Sequence, residues 1–383
     1  MPDSKNSAIL HLWRKVMKID NSHIRLGERV KKHKFTPHKW RLTDAISPDI
    51  ACFIVLTGSD TTTDKQANSY AKDTKFLLKN KNIPVYAVAY EKGDRDLRQD
   101  REAVLARHNQ ANPRYPYIRK VKEEDLTYVP QYIRELYAAT LAPRLRVENG
   151  SKAPLSLAAQ RLNMIPFITH CQGSNVLFQL EYLMKKDLTD LGYSATQQQY
   201  LLHQIHSLNI SPITPIGITQ TTAFKFMTLR DENVLSVNTP QTAYLTERQL
   251  DDDKPIMDIS LFRPTSNEFI FAASHIYYED KDNPATSLGG EHSFAAYTDK
   301  EDEYRSIAGD RLSLTFNLML NWLADNAIKN QKEFSELPDI FKEKRFSFIL
   351  KETLKNRYDF MCKEIKRARQ HPETLTVFNK KQR

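Results

Sequence analysis

Two near-continuous apolar runs, "IACFIVLTG" at 50–58 and "IPVYAVAY" at 83–90, flank a helical stretch, "KQANSYAKDTKFLLKN", at 65–80. Nothing else in the chain restricts its fold as strongly. A strand that is apolar along its whole length has both faces buried, and a strand–helix–strand unit joins two such strands in parallel. The crossover is then right-handed. The turn "GSDTTTD" between strand and helix offers Thr63 or Asp64 as a helix cap.

The alternation continues. "YVPQYIRELYAATLAPRL" (128–145) reads as a helix interrupted by Pro130 and ended by Pro143, and "PLSLAAQRLN" as a short helix. "MIPFITHC" (164–171) is a third strand, and "SNVLFQLEYLMKKDLTDLG" (174–192) a helix that Gly192 can stop. "ISPITPIGITQ" (210–220) and "AFKFMTL" (223–229) are further strand candidates, and "NEFIFAASHIYYE" (267–279) is the last convincing one. "DRLSLTFNLMLNWLADNA" (310–327) is an amphipathic helix. Residues 46–330 are therefore expected to form an α/β domain with a mostly parallel central sheet and helices on both faces. Residues 1–45 read as an N-terminal extension, an amphipathic helix followed by the basic stretch "RLGERVKKHKFTPHKWR" (25–41), and 331–383 as a basic helical appendage.

Composition narrows the class. The 383 residues can bury a substantial core, and no run approaches the length of a transmembrane helix. The first 20 residues are too polar for a signal peptide, which points to the cytoplasm unless a dedicated export machine reads another signal. Three cysteines, Cys52, Cys171 and Cys362, form neither a disulfide framework nor a metal-ligand spacing, so free thiols in a reducing compartment are expected. The net charge of +9 permits contact with polyanions but comes with no nucleic-acid-binding motif. A basic, apolar-striped helix at 345–369 could lie on an anionic membrane or dock on the main domain. No cofactor or metal motif is present: H-E-x-x-H, a P-loop and G-x-G-x-x-G are all missing.

The chemistry centres on "FITHCQGSNVLF" (167–178), where a strand meets a helix at Cys171. A residue at such a turn is pushed out of the sheet, and the N-terminus of the following helix favours negative charge on a sulfur placed there. The five residues Thr169, His170, Cys171, Gln172 and Gly173 resemble the G-x-S-x-G nucleophile elbow of the α/β-hydrolase superfamily, with Thr169 in place of the first glycine and Cys171 in place of serine. Cysteine elbows occur in its dienelactone hydrolase and polyhydroxyalkanoate synthase branches, and "HCQGS" looks like those boxes. A buried structural cysteine is the plainer reading of the same residues.

The resemblance implies an oxyanion hole made by the N–H of Gln172 and one near Ser59, in "LTGSDTT" after the first strand, although Ser59 could equally serve a turn. It implies an acid and a base in the order nucleophile, acid, histidine. Asp231, in "FKFMTLRDENVLSV", is the expected acid, with Glu232 as the alternative, and His292, in "GGEHSF", the expected base. The function implied is an ester or thioester hydrolase or an acyltransferase with a Cys–His–Asp triad, a covalent acyl-enzyme and a small-molecule or lipid-like acyl substrate. Segments 91–165 and 187–210 could cover the site as a lid. A catalytically silent scaffold, such as a host-directed bacterial effector, is the other reading, motivated by Thr169 and the terminal extensions.

Several other patterns lead nowhere. A Cys-x5-Arg phosphatase loop needs an arginine where Leu177 stands. His275 and Glu279 have H-x-x-x-E spacing in a stretch that reads as strand, and His203 and His206 lie three apart on an apparent helix without a carboxylate partner.

Overall fold

The computed structural model describes residues 24–30, 39–59, 61–78, 81–90, 94–111, 122–228, 231, 233–234, 260–262, 267–273, 292–298 and 307–334. All of them belong to one compact unit, Met1–Ser335. The 345–369 stretch, Glu232, His275 and Glu279 lie outside the described residues.

In chain order the elements are β1 (Ile24–Val30), β2 (Lys39–Leu42), β3 (Phe53–Leu56), α1 (Asp64–Leu77), β4 (Val85–Tyr90), α2 (Asp94–Ala111), α3 (Glu123–Thr127) and α4 (Gln131–Thr140). A 3-10 turn (Ala142–Leu145) leads to α5 (Leu155–Asn163), β5 (Phe167–His170), α6 (Gly173–Asp190), α7 (Ala195–His203), β6 (His206–Ile210) and β7 (Thr222–Thr228). The last elements are β8 (Ser260–Phe262), β9 (Glu268–Ala273), α8 (Phe294–Thr298) and α9 (Ile307–Lys332). The strands form one nine-stranded sheet in the order β2-β1-β4-β3-β5-β6-β7-β9-β8. The run from β4 through β3, β5, β6 and β7 to β9 is parallel throughout, and β1, β2 and β8 add antiparallel edges.

The α/β class follows from burial. Successive strand residues point to opposite faces, yet every residue of β3 and β4 is buried, so both faces of the sheet are covered. Thr63 caps α1 in a reciprocal box with Gln66: its hydroxyl accepts from the Gln66 N–H, and the Gln66 amide oxygen accepts from the Thr63 N–H. Helix α6 packs against β3 and β5, and α9 against β6 and β9. Gly192 follows α6 at φ +73°, where its lack of a Cβ removes the left-handed penalty. No helix among the described residues is long and apolar enough to cross a membrane.

Three expectations are corrected. Residues 24–30 and 39–42, placed in a helical and basic extension, are strands β1 and β2 of the sheet. In β1, Arg25 and Arg29 alternate with buried Ile24, Leu26 and Glu28, and Glu28 pairs with Arg41 of β2, the pattern of a half-buried antiparallel strand. Residues 211–221 contain no strand; the strand is the preceding HSLNI of β6, so His203 ends a helix and His206 opens a strand. Segment 187–210 is accordingly framework, with β6 paired between β5 and β7. Much of 91–165 is also framework, since Tyr132, Ile133 and Leu136 of α4 and Leu162 of α5 lie in the main core.

Beside β7 the interior holds an ion pair. Lys225 Nζ lies 3.1 Å from Glu268 Oε1, with side chains only 1% and 0% exposed. The Glu268 carboxylate also accepts from the N–H groups of Gly217 (2.6 Å) and Thr219 (3.1 Å), tying the 211–221 loop to β9. Removing one member strands a buried charge. Lys225→Met is expected to cost about 3 kcal/mol or more in urea denaturation, with much of the loss recovered when Glu268→Gln is added.

Candidate active site

The loops at the carboxyl ends of the parallel strands enclose a cavity of about 360 Å³, whose walls include Gly58, Ser59, Arg101, Cys171, Asn233 and His292. That end of an open parallel sheet is where α/β proteins place their ligands.

Cys171 occupies the corner between β5 and α6 with φ +52°, a left-handed conformation that costs a residue with a Cβ about 1–2 kcal/mol. The surroundings hold it there. Its N–H donates to Ile210 O (3.2 Å), and its carbonyl accepts from the Ser174 N–H (3.1 Å) and hydroxyl (2.8 Å). Ser174 Oγ in turn accepts from the N–H groups of Ile213 and Thr214, each at 3.1 Å, which pins the loop after β6 to the start of α6. Gly173 makes the tight corner possible, because a Cβ there would lie 2.0 Å from Leu56 O. Thr169, two residues before Cys171, is fully buried and donates its hydroxyl to Asn209 Oδ1 at 2.7 Å. Its bulk is thus absorbed by a polar partner on β6.

His292 and Asp231 meet beside this corner. His292 Nδ1 lies 2.7 Å from Asp231 Oδ2 and 2.9 Å from Oδ1. The Asp231 side chain is fully buried, and Oδ1 also accepts from the N–H groups of Asn233 (3.1 Å) and Val234 (3.3 Å). Burial works against a charged imidazole, but the Asp231 carboxylate and the Cys171 sulfur outweigh it and raise His292 to about 10. His292 Nε2 is buried and makes no hydrogen bond of standard geometry among the described residues, although Cys171 is its electrostatic neighbour.

His170, directly before Cys171, joins the site from behind. Its Nε2 lies 2.6 Å from the His292 carbonyl oxygen, which can only accept, so Nε2 carries the proton. Nδ1 then accepts from the Tyr70 hydroxyl at 2.8 Å. Burial pushes His170 down to about 4, so the ring is neutral and acts as a strut between α1 and the loop bearing His292. The Phe294 ring packs on both Tyr70 and His170. A second opening of about 330 Å³ shares Tyr70, His170 and His292 with the first cavity and adds Asp73 and Phe294 among others.

Of the expected site residues, Cys171, Asp231, His292 and Ser59 come together around or beside the cavity. The Gln172 peptide follows Cys171, but the residue is 4% exposed and its side chain donates to Asp100 Oδ2 at 2.6 Å. Sequence reading missed His170, Tyr70 and Arg101. Only His170 carried a signal, its place beside the corner cysteine. Among the described residues no three metal-ligating side chains cluster.

The buried histidines set an acid limit on stability. His170 and His206 are each lowered to about 4 by burial, whereas an unfolded histidine titrates near 6.5. Between these values the unfolded chain binds more protons, so stability falls as the pH drops from about 6.5 towards about 4. Urea titrations across that window should show the decline, and His206→Gln should flatten it.

No protein-family model matches the chain, and neither does any curated protein.

Proposed function

We propose that the chain is an α/β-hydrolase-like enzyme that forms an acyl-enzyme on Cys171 and acts on an ester or thioester. The observation that carries this reading is the convergence of a strained corner cysteine, a histidine and a buried carboxylate on one cavity at the carboxyl ends of the parallel strands. Strain of this kind persists where the surroundings over-determine it, and here it turns a thiol towards a cavity.

In this reading Cys171 Sγ attacks the carbonyl carbon, and the thiol proton resides on His292. The new C–S bond leaves a tetrahedral oxyanion, for which the N–H groups of Gln172 and the Ser59 region are the candidate donors. His292 delivers its proton to the leaving oxygen or sulfur as the intermediate collapses. Asp231 holds the ring in place through Nδ1. Water then attacks the acyl carbon, giving its proton to His292, and Cys171 is released; an alcohol, amine or thiol acceptor would give transfer instead. The thiol must stay reduced, which suits a cytoplasm-like compartment. Thr169, which with the terminal extensions motivates the silent-scaffold reading, is accommodated by its bond to Asn209 Oδ1; a silent scaffold would form no acyl-enzyme.

Release of p-nitrophenol or free thiol from a panel of acyl esters and thioesters tests the proposal. Turnover that disappears in Cys171→Ala supports it; turnover that survives in Cys171→Ala refutes it. His170 is a positioning residue in this scheme. His170→Phe removes both of its hydrogen bonds and is expected to lower kcat by about 10–100-fold with KM little changed, because His292 loses its backbone support. His170→Gln, which can keep one bond, should recover part of the loss.

A further inference from the structure

Arg101, on α2, faces the same cavity and is exposed. It makes no hydrogen bond or ion pair among the described residues. An arginine in that state at the mouth of a cavity is a fork of donors without an acceptor. Its position is fixed by its neighbour. Asp100 is fully buried and accepts from Gln172 Nε2 (2.6 Å), Gln179 Nε2 (2.7 Å) and the Tyr132 hydroxyl (3.1 Å). Arg107, two turns further along α2 on the face of Asp100, hydrogen bonds to Gln179 Oε1 and stacks on the Tyr182 ring at 3.7 Å. Helix α2 is therefore clamped to the residue after Cys171 and to the body of α6, so the backbone that carries Arg101 is held at the cavity that Cys171 also lines. The described walls of the cavity carry no carboxylate; Asp231 sits behind His292 as its partner.

We propose that Arg101 makes this cavity an anion-recognition site, and that the substrate bears a carboxylate or phosphate near its reacting carbonyl. The substrate part rests on the reading of Cys171 as nucleophile; the anion site does not. A guanidinium suits both groups through paired N–H donation.

The anion site is tested by alkylating Cys171 with iodoacetate and with iodoacetamide, which differ in charge but not in chemistry. In each, the sulfur displaces iodide and loses its proton as the C–S bond forms. Peptide mapping isolates Cys171 from the other thiols, and the ratio of the two rates cancels general changes in reactivity. The iodoacetate-to-iodoacetamide ratio is expected to fall about tenfold in Arg101→Ala, to persist largely in Arg101→Lys, and to shrink with added salt. An equal ratio in wild type and Arg101→Ala overturns the proposal. Two thioester pairs then locate the charge: glutaryl against valeryl N-acetylcysteamine places a carboxylate on the acyl group, and valeryl phosphopantetheine against valeryl pantetheine places a phosphate on the leaving group. A preference lost in Arg101→Ala identifies the source. Acylation without preference in either pair rejects the charged substrate. If no thioester acylates Cys171, the nucleophile reading fails, while the alkylation ratio still decides the anion site.

Discussion

His292→Ala is expected to lower kcat/KM by about 10,000-fold or more, the scale seen when the base of such a constellation is removed. The reason lies in the proton inventory. In the proposed mechanism His292 holds the Cys171 proton, and the Asp231 carboxylate, 2.7 Å from Nδ1, and the Cys171 sulfur favour the charged ring and raise it to about 10. Without it, the leaving group departs without a proton donor, and water attacks the acyl-enzyme without a base. Asp231→Asn should be nearly as harmful, by about 1,000- to 10,000-fold, because an amide can present either end to Nδ1 and no longer stabilises the charged ring. The losses should not add: His292→Ala with Asp231→Asn is expected to be no worse than His292→Ala alone. Steady-state kinetics on the best substrate of the panel checks both variants and the double variant. Additive losses would mean that the two residues do not act together.

The second large effect concerns folding. Gly173→Ala places a Cβ 2.0 Å from Leu56 O and 2.7 Å from Leu56 C, and both atoms are backbone of a central parallel strand. No side chain can rotate to make room. Either α6 withdraws from β3 or the β3–β5 pairing, with Leu56 opposite Thr169, shifts. We expect a loss of at least about 3 kcal/mol, or a chain that does not accumulate in folded form. Gly192→Ala is the control: nothing lies within 4 Å of its added Cβ, and only its φ of +73° resists. Its cost should stay near 1 kcal/mol. Urea midpoints of the two variants measure the difference.

The sheet was legible where burial is continuous. FIVL of β3 and VYAVAY of β4 are apolar because no face of either strand meets water. β6 was not legible, since His206, Ser207 and Asn209 are polar yet buried. Their side chains meet polar partners inside the fold, such as Thr169 for Asn209, and hydropathy cannot see a partner. β1 was hidden by its arginines, which lie on an edge pair and reach out to Thr62, Asn68 and Asp64. At the site, Cys171, Asp231 and His292 could be named because each stands beyond a strand end in a fixed chain order. Tyr70 and Arg101 could not. Their places at the cavity come from where α1 and α2 dock, which no local pattern encodes.

Intact-mass spectrometry of the protein mixed with p-nitrophenyl acyl esters and acyl thioesters, beside Cys171→Ala and His292→Ala, tests the central claim most directly. The expected result is a single acyl adduct that maps to Cys171, is missing in Cys171→Ala, and forms far more slowly in His292→Ala. The contradicting result is no adduct from any member of the panel, with iodoacetamide modifying Cys171 no faster than a free cysteine.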